Sequence, residues 1–262
     1  MENKTLRLQK ENRENLTLDG DLRIVAEENS NSVLILNIRD SLKANIEIEM
    51  EAGSFLTLFY NNVSVDLDVT EVMNLKRNAS LKLAYCELES KKLHRNARVN
   101  LLEEGASVML ISGAIADSEK HQDIICDHFA KHTESKMETY GVILSNGDYK
   151  VVANGRIERG SVGAKTHQTS RVLTFAEKQR AEVIPMLEID ENDVEASHAT
   201  SIGQLDESQL YYLMSRGITK QEALKLISLG YLLPLTKVTD DDKLRQYLTE
   251  LIEKKVAEAC LM

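Results

Sequence analysis

Glu51-Ala52-Gly53-Ser54-Phe55-Leu56-Thr57-Leu58 opens a pattern that returns twice further along the chain. Arg77-Asn78-Ala79-Ser80-Leu81-Lys82-Leu83 and Glu104-Gly105-Ala106-Ser107-Val108-Met109-Leu110 repeat it: a charged residue, a turn of small residues, then an apolar run. Aligned on Ser54, Ser80 and Ser107, the three copies stand 26 and 27 residues apart. Stacked solenoid coils produce such a pattern, because each coil can bury its apolar face only against its neighbours.

Around these copies, from Leu16 to about Leu187, short runs alternate apolar and polar residues. They include Leu16–Val25, Val33–Ile38, Ala44–Met50, Phe55–Tyr60, Val63–Val69, Leu81–Tyr85 and Val108–Ser112. Alternation with period two, rich in Val, Ile and Leu, is strand chemistry, since successive side chains point to opposite faces of a sheet. An antiparallel sandwich also alternates and turns on Gly, Asn and Asp. The fixed interval favours the solenoid, and at this point the sandwich stays open.

After Gly203 the pattern changes to helical spacing. Asp206 opens a helix that carries Leu210, Leu213 and Met214 and stops at Gly217. Thr219-Lys220-Gln221-Glu222 is a capping box for a second helix, expected to bury Ala223, Leu224, Ile227 and Leu226 and to end before Gly230. A third helix is expected from Thr239–Asp242, with Leu244, Leu248, Leu251, Ile252 and Val256 as its apolar stripe. A β-rich body over 1–203 therefore carries a helical domain over 204–262.

The 262 residues hold 32 Lys+Arg against 42 Asp+Glu, a net charge of −10 that argues against phosphate-backbone binding. There is neither a signal-peptide core nor an 18-residue apolar stretch, so a cytoplasmic protein without a membrane segment is expected. The chain also lacks a GxxxxGK[ST] phosphate loop, a GxSxG elbow and an HExxH pair, so nucleotide and hydrolase chemistry find no support. Cys86, Cys126 and Cys260 are too scattered for a disulfide framework or a CxxC metal site. Cys86 reads as a core residue and Cys260 as a tail thiol.

His121, Cys126, His128 and His132 form the compact group of potential metal ligands. Read as a strand, Asp123–Phe129 sets Cys126 and His128 on one face and Asp127 and Phe129 on the other. Two adjacent side chains do not complete a tetrahedral site, and a polar ladder along the solenoid is the favoured alternative.

Three segments then carry a resemblance: Pro185-Met186-Leu187-Glu188-Ile189, Asp193-Val194-Glu195-Ala196-Ser197-His198-Ala199-Thr200-Ser201-Ile202-Gly203, and Gln209-Leu210-Tyr211-Tyr212-Leu213-Met214-Ser215-Arg216-Gly217-Ile218. They resemble the C-terminal signature of the SufB/SufD family, close to P-x-L-E-I, D-V-x-x-S-H-G-A-T-x-G and Q-L-F-Y-L-x-S-R-G-I. His128 and His132 ahead of Tyr140-Gly141, and Gly163–Gln168 with Arg171-Val172-Leu173, are similar to the same family. The match is specific from about His128 to Ile227. Before residue 120 only the strand rhythm agrees.

The resemblance implies a right-handed parallel β-helix with a C-terminal helical domain, in a non-enzymatic protein of iron-sulfur cluster assembly. Its implied partners are a SufC-type ABC ATPase and a SufB-like protein, with a homodimer when alone. The family usually carries a longer N-terminal region, so this sequence is expected to be a minimal or divergent member. In SufB-like chains a glutamate follows the motif histidine and a cysteine lies six residues before the Pro-x-x-Glu run. Here Ala199 and Gln179 stand in those places, which resembles the SufD branch. No cofactor is expected to be held stably by the isolated chain, and any iron-sulfur cluster would be shared with a partner supplying cysteine.

His198 is the implied iron or cluster ligand at the subunit junction, expected in an exposed loop between the last strand and the first helix. Gln209, Leu210, Tyr211, Tyr212, Leu213, Arg216 and Ile218 are the implied ATPase-docking residues. The tyrosines could alternatively cap the open end of the solenoid. Two rival functions also stand: a homodimeric scaffold binding a cluster through Cys126 or His198, and a β-helix protein acting on carbohydrate.

Overall fold

The computed structural model describes residues 4–62, 66–89, 91–175 and 179–259. Sixteen strands among them form two parallel eight-stranded sheets that face each other across a solenoid of about seven turns. The odd sheet contains β1 (Lys4–Leu8), β3 (Leu22–Ala26), β5 (Leu42–Met50), β7 (Leu67–Leu75), β9 (Leu93–Leu101), β11 (Glu119–His128), β13 (Asp148–Ile157) and β15 (Arg180–Ile189). The even sheet contains β2 (Glu11–Leu18), β4 (Asn31–Ile38), β6 (Phe55–Asn62), β8 (Ser80–Glu87), β10 (Ser107–Ala116), β12 (Glu134–Ile143), β14 (Lys165–Thr174) and β16 (Glu195–Gln204). Each strand pairs with the one two places on, in parallel register, which excludes the antiparallel sandwich. The sequence run beginning at Val63 is represented only from its C-terminal part, because Val63, Ser64 and Val65 lie outside the described residues.

The recurring turn is the corner of six successive coils. Asn29, Gly53, Asn78, Gly105, His132 and Gly163 all have positive φ, at intervals of 24, 25, 27, 27 and 31 residues. Only glycine enters that backbone region freely, with asparagine next, and stacking repeats the requirement coil after coil. The corners are tied by backbone hydrogen bonds such as Gly53 N to Arg77 O (2.8 Å) and His132 N to Val162 O (3.0 Å). A Cβ on Gly53 would stand 2.4 Å from the Asn29 side-chain oxygen, so the corners also pack tightly.

The register differs from the alignment on Ser54, Ser80 and Ser107. Ser80 does face Ser107, but its partner in the coil before is Phe55, not Ser54. Ser54 instead occupies the buried corner position of Ala79 and Ala106, its hydroxyl donating to Glu51 O at 2.7 Å. Ser54 and Ser80 look alike in sequence, yet the left-handed residue before each strand sets the frame.

Inside the solenoid, equivalent side chains stack in ladders. One runs Leu34, Leu58, Leu83, Leu110, Met137, Gln168 and His198 through successive even strands. All of these except His198 are buried. Each buried leucine contributes roughly 1.5–3 kcal/mol of transfer free energy, so ladders of this kind hold coil to coil.

Three helices follow: α1 (Glu207–Ser215), α2 (Lys220–Leu232) and α3 (Asp242–Ala259), with a 3₁₀ turn at Leu233–Val238 between the last two. Asp206 caps α1 by accepting from Ser208 N and Gln209 N, and the Thr219–Glu222 capping box is formed at α2. Contrary to expectation, α2 continues through Gly230 to Leu232, and Pro234 marks the change to the 3₁₀ turn. Leu226 faces solvent. The α3 stripe buries Leu244, Leu248, Ile252 and Val256 against the outer face of the even sheet, where Phe59, Ala84, Cys86, Ile111, Tyr140 and Val142 form the other half of a second core. The helices thus clamp onto a flank of the solenoid and do not cap its end. No helix among the described residues is long and apolar enough to cross a membrane.

Candidate functional site

The last coil, β15 and β16, has a neighbour on one side only. β15 pairs with β13 and β16 with β14, so the outer edge of each presents unpaired backbone donors and acceptors. Its inner face is uncovered as well, since among the described residues no further coil lies over it. Ile189 and Ile202, which continue the inward phase of Ile157 and Val172, are exposed there, and Met186 is exposed on the outer face of β15.

His198 belongs to this coil. It lies within strand β16 and not in a loop as the sequence suggested, because the Ser-His-Ala-Thr segment continues the β14 register. Its ladder partner Gln168 is buried and donates from Nε2 to Met186 O at 2.7 Å. His198 therefore stands at the inward-facing position of the final rung, where absence of a covering coil leaves it exposed. Beside it, His167 Nδ1 lies 2.8 Å from Ser197 Oγ on the outer face.

The interior becomes polar towards this end. His128 is fully buried, with Nδ1 2.8 Å from Thr133 Oγ1 and Nε2 2.8 Å from Ser135 Oγ. Ser135 passes the chain on to Thr166 Oγ1 at 2.9 Å, and Thr139 donates to Ser170 at 2.8 Å. Burial depresses the pKa of His128 to about 4, so its ring is neutral at ordinary pH and both nitrogens are occupied. Cys126 is buried two strands before β15, and burial, aided by Asp127, pushes its thiol up to about 12. It offers no thiolate.

The four clustered residues separate: Cys126 and His128 point inward, His132 forms a coil corner, and His121 faces outward on the odd sheet. Cys86 packs under the helices, its thiol also raised by burial. Cys260 lies outside the described residues, as do the other terminal residues after Ala259.

Of the implied docking residues, Tyr211 and Tyr212 are 76% and 55% exposed, and α1 buries none of its own side chains. Arg216 lies over the Tyr212 ring at 5.2 Å. Gln209 and Leu213 turn towards a cleft of about 720 Å³ between the helices and the even sheet, lined also by Glu138, Tyr140, Arg171 and Lys237. Leu210 and Ile218 are half-buried.

Sequence reasoning missed the charged interior. Arg95, Glu71 and Glu87 are buried inside the solenoid and joined by ion pairs of 3.3 and 2.9 Å. The only signal was that these charges fall on the apolar phase of their strands.

Comparison with known proteins adds the family. Residues 9–231 match a profile described as SUF system FeS cluster assembly, SufBD core domain. The iron-sulfur cluster assembly protein SufD of Bacillus subtilis is 31% identical over 89% of this chain and 56% of its own length. SufB of the same organism is 30% identical over 64% of this chain and 37% of its own length. An iron-sulfur cluster assembly SufBD family protein of Mycobacterium tuberculosis is 26% identical over 64% of the chain and 20% of its own length. The chain therefore spans about half, or less, of each of these relatives.

Proposed function

The chain belongs to the SufBD core family of iron-sulfur cluster assembly proteins, and on that footing we propose that it works as a SufD-like, non-catalytic subunit. In this reading it joins a SufB-like chain at its last coil and docks a SufC-type ABC ATPase through its helices. The observation that carries the reading is the uncovered rung: His198 ends the inward ladder, exposed, beside two strands with open edges. A second chain laid on those edges satisfies the unpaired backbone groups and encloses the imidazole, which can then ligate iron as cargo.

Cluster chemistry needs soft sulfur donors. Ala199 and Gln179 occupy the positions of the SufB-type carboxylate and cysteine, and the buried Cys126 thiol stays protonated. The thiolates therefore come from the SufB-like partner, and His198 completes the set from this side. On the flank, α1 and its C-cap present Tyr211, Tyr212 and Arg216, residue types that anchor interfaces. Movement of a docked ATPase passes through α2 and α3 into the even sheet, which ends at the junction. The setting proposed is the cytoplasm.

Co-expression with SufB-like and SufC-type proteins, followed by size exclusion, tests pairing. A stoichiometric complex is expected, and absence of co-elution overturns the reading. His198→Ala is expected to keep the complex but slow anaerobic cluster formation, followed by visible charge-transfer absorbance; unchanged formation removes His198 from the site.

A further inference from the structure

On the helix-free odd sheet, three strands bring together side chains that lie far apart in sequence. His94 opens the outward phase of β9, and its register partner in β11 is His121. Glu119 precedes His121 by two residues, so both point outward from the same strand face. Glu119 in turn faces Asp148 at the start of β13. His94 Nε2 lies 2.8 Å from Glu119 Oε1, and His121 Nδ1 lies 3.6 Å from the same oxygen. One ligand atom from each of His94, Glu119 and His121 falls within 4.8 Å of the others. The two imidazole rings stand 5.5 Å apart at their centroids.

We infer that His94, Glu119 and His121 form a mononuclear site for a divalent first-row transition-metal ion, with Asp148 orienting the His121 ring. Two imidazoles and one carboxylate, borderline and hard donors respectively, are the set that holds zinc or ferrous iron with positions left for water or a small ligand. With bonds of ~2.1 Å and angles of about 90–110° at the metal, ligand atoms stand ~3.0–3.4 Å apart, and the contacts to Glu119 bracket that range. A second, independent observation supports the assignment. His121 Nε2 and Asp148 Oδ1 are both shielded from solvent, 3.3 Å apart, and neither makes a hydrogen bond with any described group. A slight turn of the ring joins them, fixes the proton on Nε2 and leaves Nδ1 free to ligate, the carboxylate–histidine–metal arrangement. The carboxylates of Glu119 and Asp148 balance a dication. Lys150, opposite His121 in register, is the nearest cation in line and has a flexible stem that can swing clear.

This site is separate from the last coil and does not depend on the role proposed for His198. The metal-free chain is titrated with Co²⁺, read by visible d–d absorption, and with Zn²⁺, read by calorimetry. One equivalent is expected to bind in the wild type and to raise the melting temperature. Glu119→Gln and the double variant His94→Asn/His121→Asn are expected to lose the d–d signal, while Asp148→Asn weakens binding about 10–100-fold. Wild-type protein that gives no d–d bands, or a double variant that binds one equivalent as tightly as the wild type, overturns the inference and leaves the four side chains as an ion-pair network. Melting curves of the metal-free variants establish that each is folded.

Discussion

The guanidinium carbon of Arg95 stands 3.6 Å from the centroid of the Tyr85 ring, and both side chains are buried inside the solenoid. Arg95 also pairs with Glu71 and Glu87, while the Tyr85 hydroxyl donates to Glu71 at 2.8 Å and Asn62 to Glu87 at 2.7 Å. Burial raises the Glu71 pKa despite the arginine, so the carboxylate depends on its neighbours for what compensation it has. Arg95→Met should therefore cost on the order of 3–5 kcal/mol, because two buried acids lose their cation. Adding Glu71→Gln and Glu87→Gln should return part of that loss. Denaturant unfolding of the single and triple variants checks this, and an Arg95→Met protein as stable as the wild type would contradict it.

His128 predicts an acid-side stability loss. Its folded pKa, about 4, lies below the ordinary histidine value near 6.5, so the unfolded chain binds the extra proton first. Its contribution is complete above pH ~6.5 and is lost as pH falls towards 4, on the order of 3 kcal/mol in all. Glu71 and Asp127, whose pKa values are raised, act in the opposite direction over part of that range. The wild type must therefore be compared with His128→Asn. The difference in unfolding free energy between the two should shrink between pH 7 and 4, and a constant difference would refute the assignment.

Gly113 sets the clearance between solenoid and helices. A Cβ there would lie 2.4 Å from Leu235 Cδ1. Gly113→Val should loosen the 3₁₀ turn and α3 while the coils persist, and Leu235→Ala in the same chain should restore packing. Hydrogen exchange resolved by peptide is the measurement. Faster exchange spread evenly over the coils and helices would show that the helices are not a separable unit.

Cys86 and Cys126 should resist alkylation in the native protein, since both are buried and both thiols are pushed up by burial. Mass spectrometry after iodoacetamide treatment reads this directly. Labelling of Cys126 at the rate of an unfolded control would reopen the scaffold role for this chain.

The edge of the last coil gives a further test. Ile202→Lys places a charge on an exposed apolar position of β16 without touching the buried core. Chain stability should change by less than about 0.5 kcal/mol. Assembly with a SufB-like chain, measured by sedimentation, should weaken at least tenfold, and unaltered assembly would move the interface elsewhere.

Local chemistry was legible in the amino-acid order. Gly53, Asn78 and Gly105 announced the coil corners, alternation announced the strands, Asp206 and Thr219–Glu222 announced the helix starts, and the Ser197–Gly203 motif pointed to His198. Each of these depends on a few adjacent residues, so each survives in a linear reading. What neighbours what across coils is another matter, because the offset between paired strands runs from 18 residues (Lys4 to Leu22) to 32 (Asp148 to Arg180) and every change resets the register. That variation moved Ser54 off Ser80, lifted His198 from a supposed loop to an uncovered rung, and enclosed Arg95 between two acids and two tyrosines. It also brought His94, Glu119, His121 and Asp148 together on one outer face. Sequence alone determined the coils and their caps; only stacking decided which side chains meet, since contacts between strands are made across a distance in sequence that no local pattern encodes.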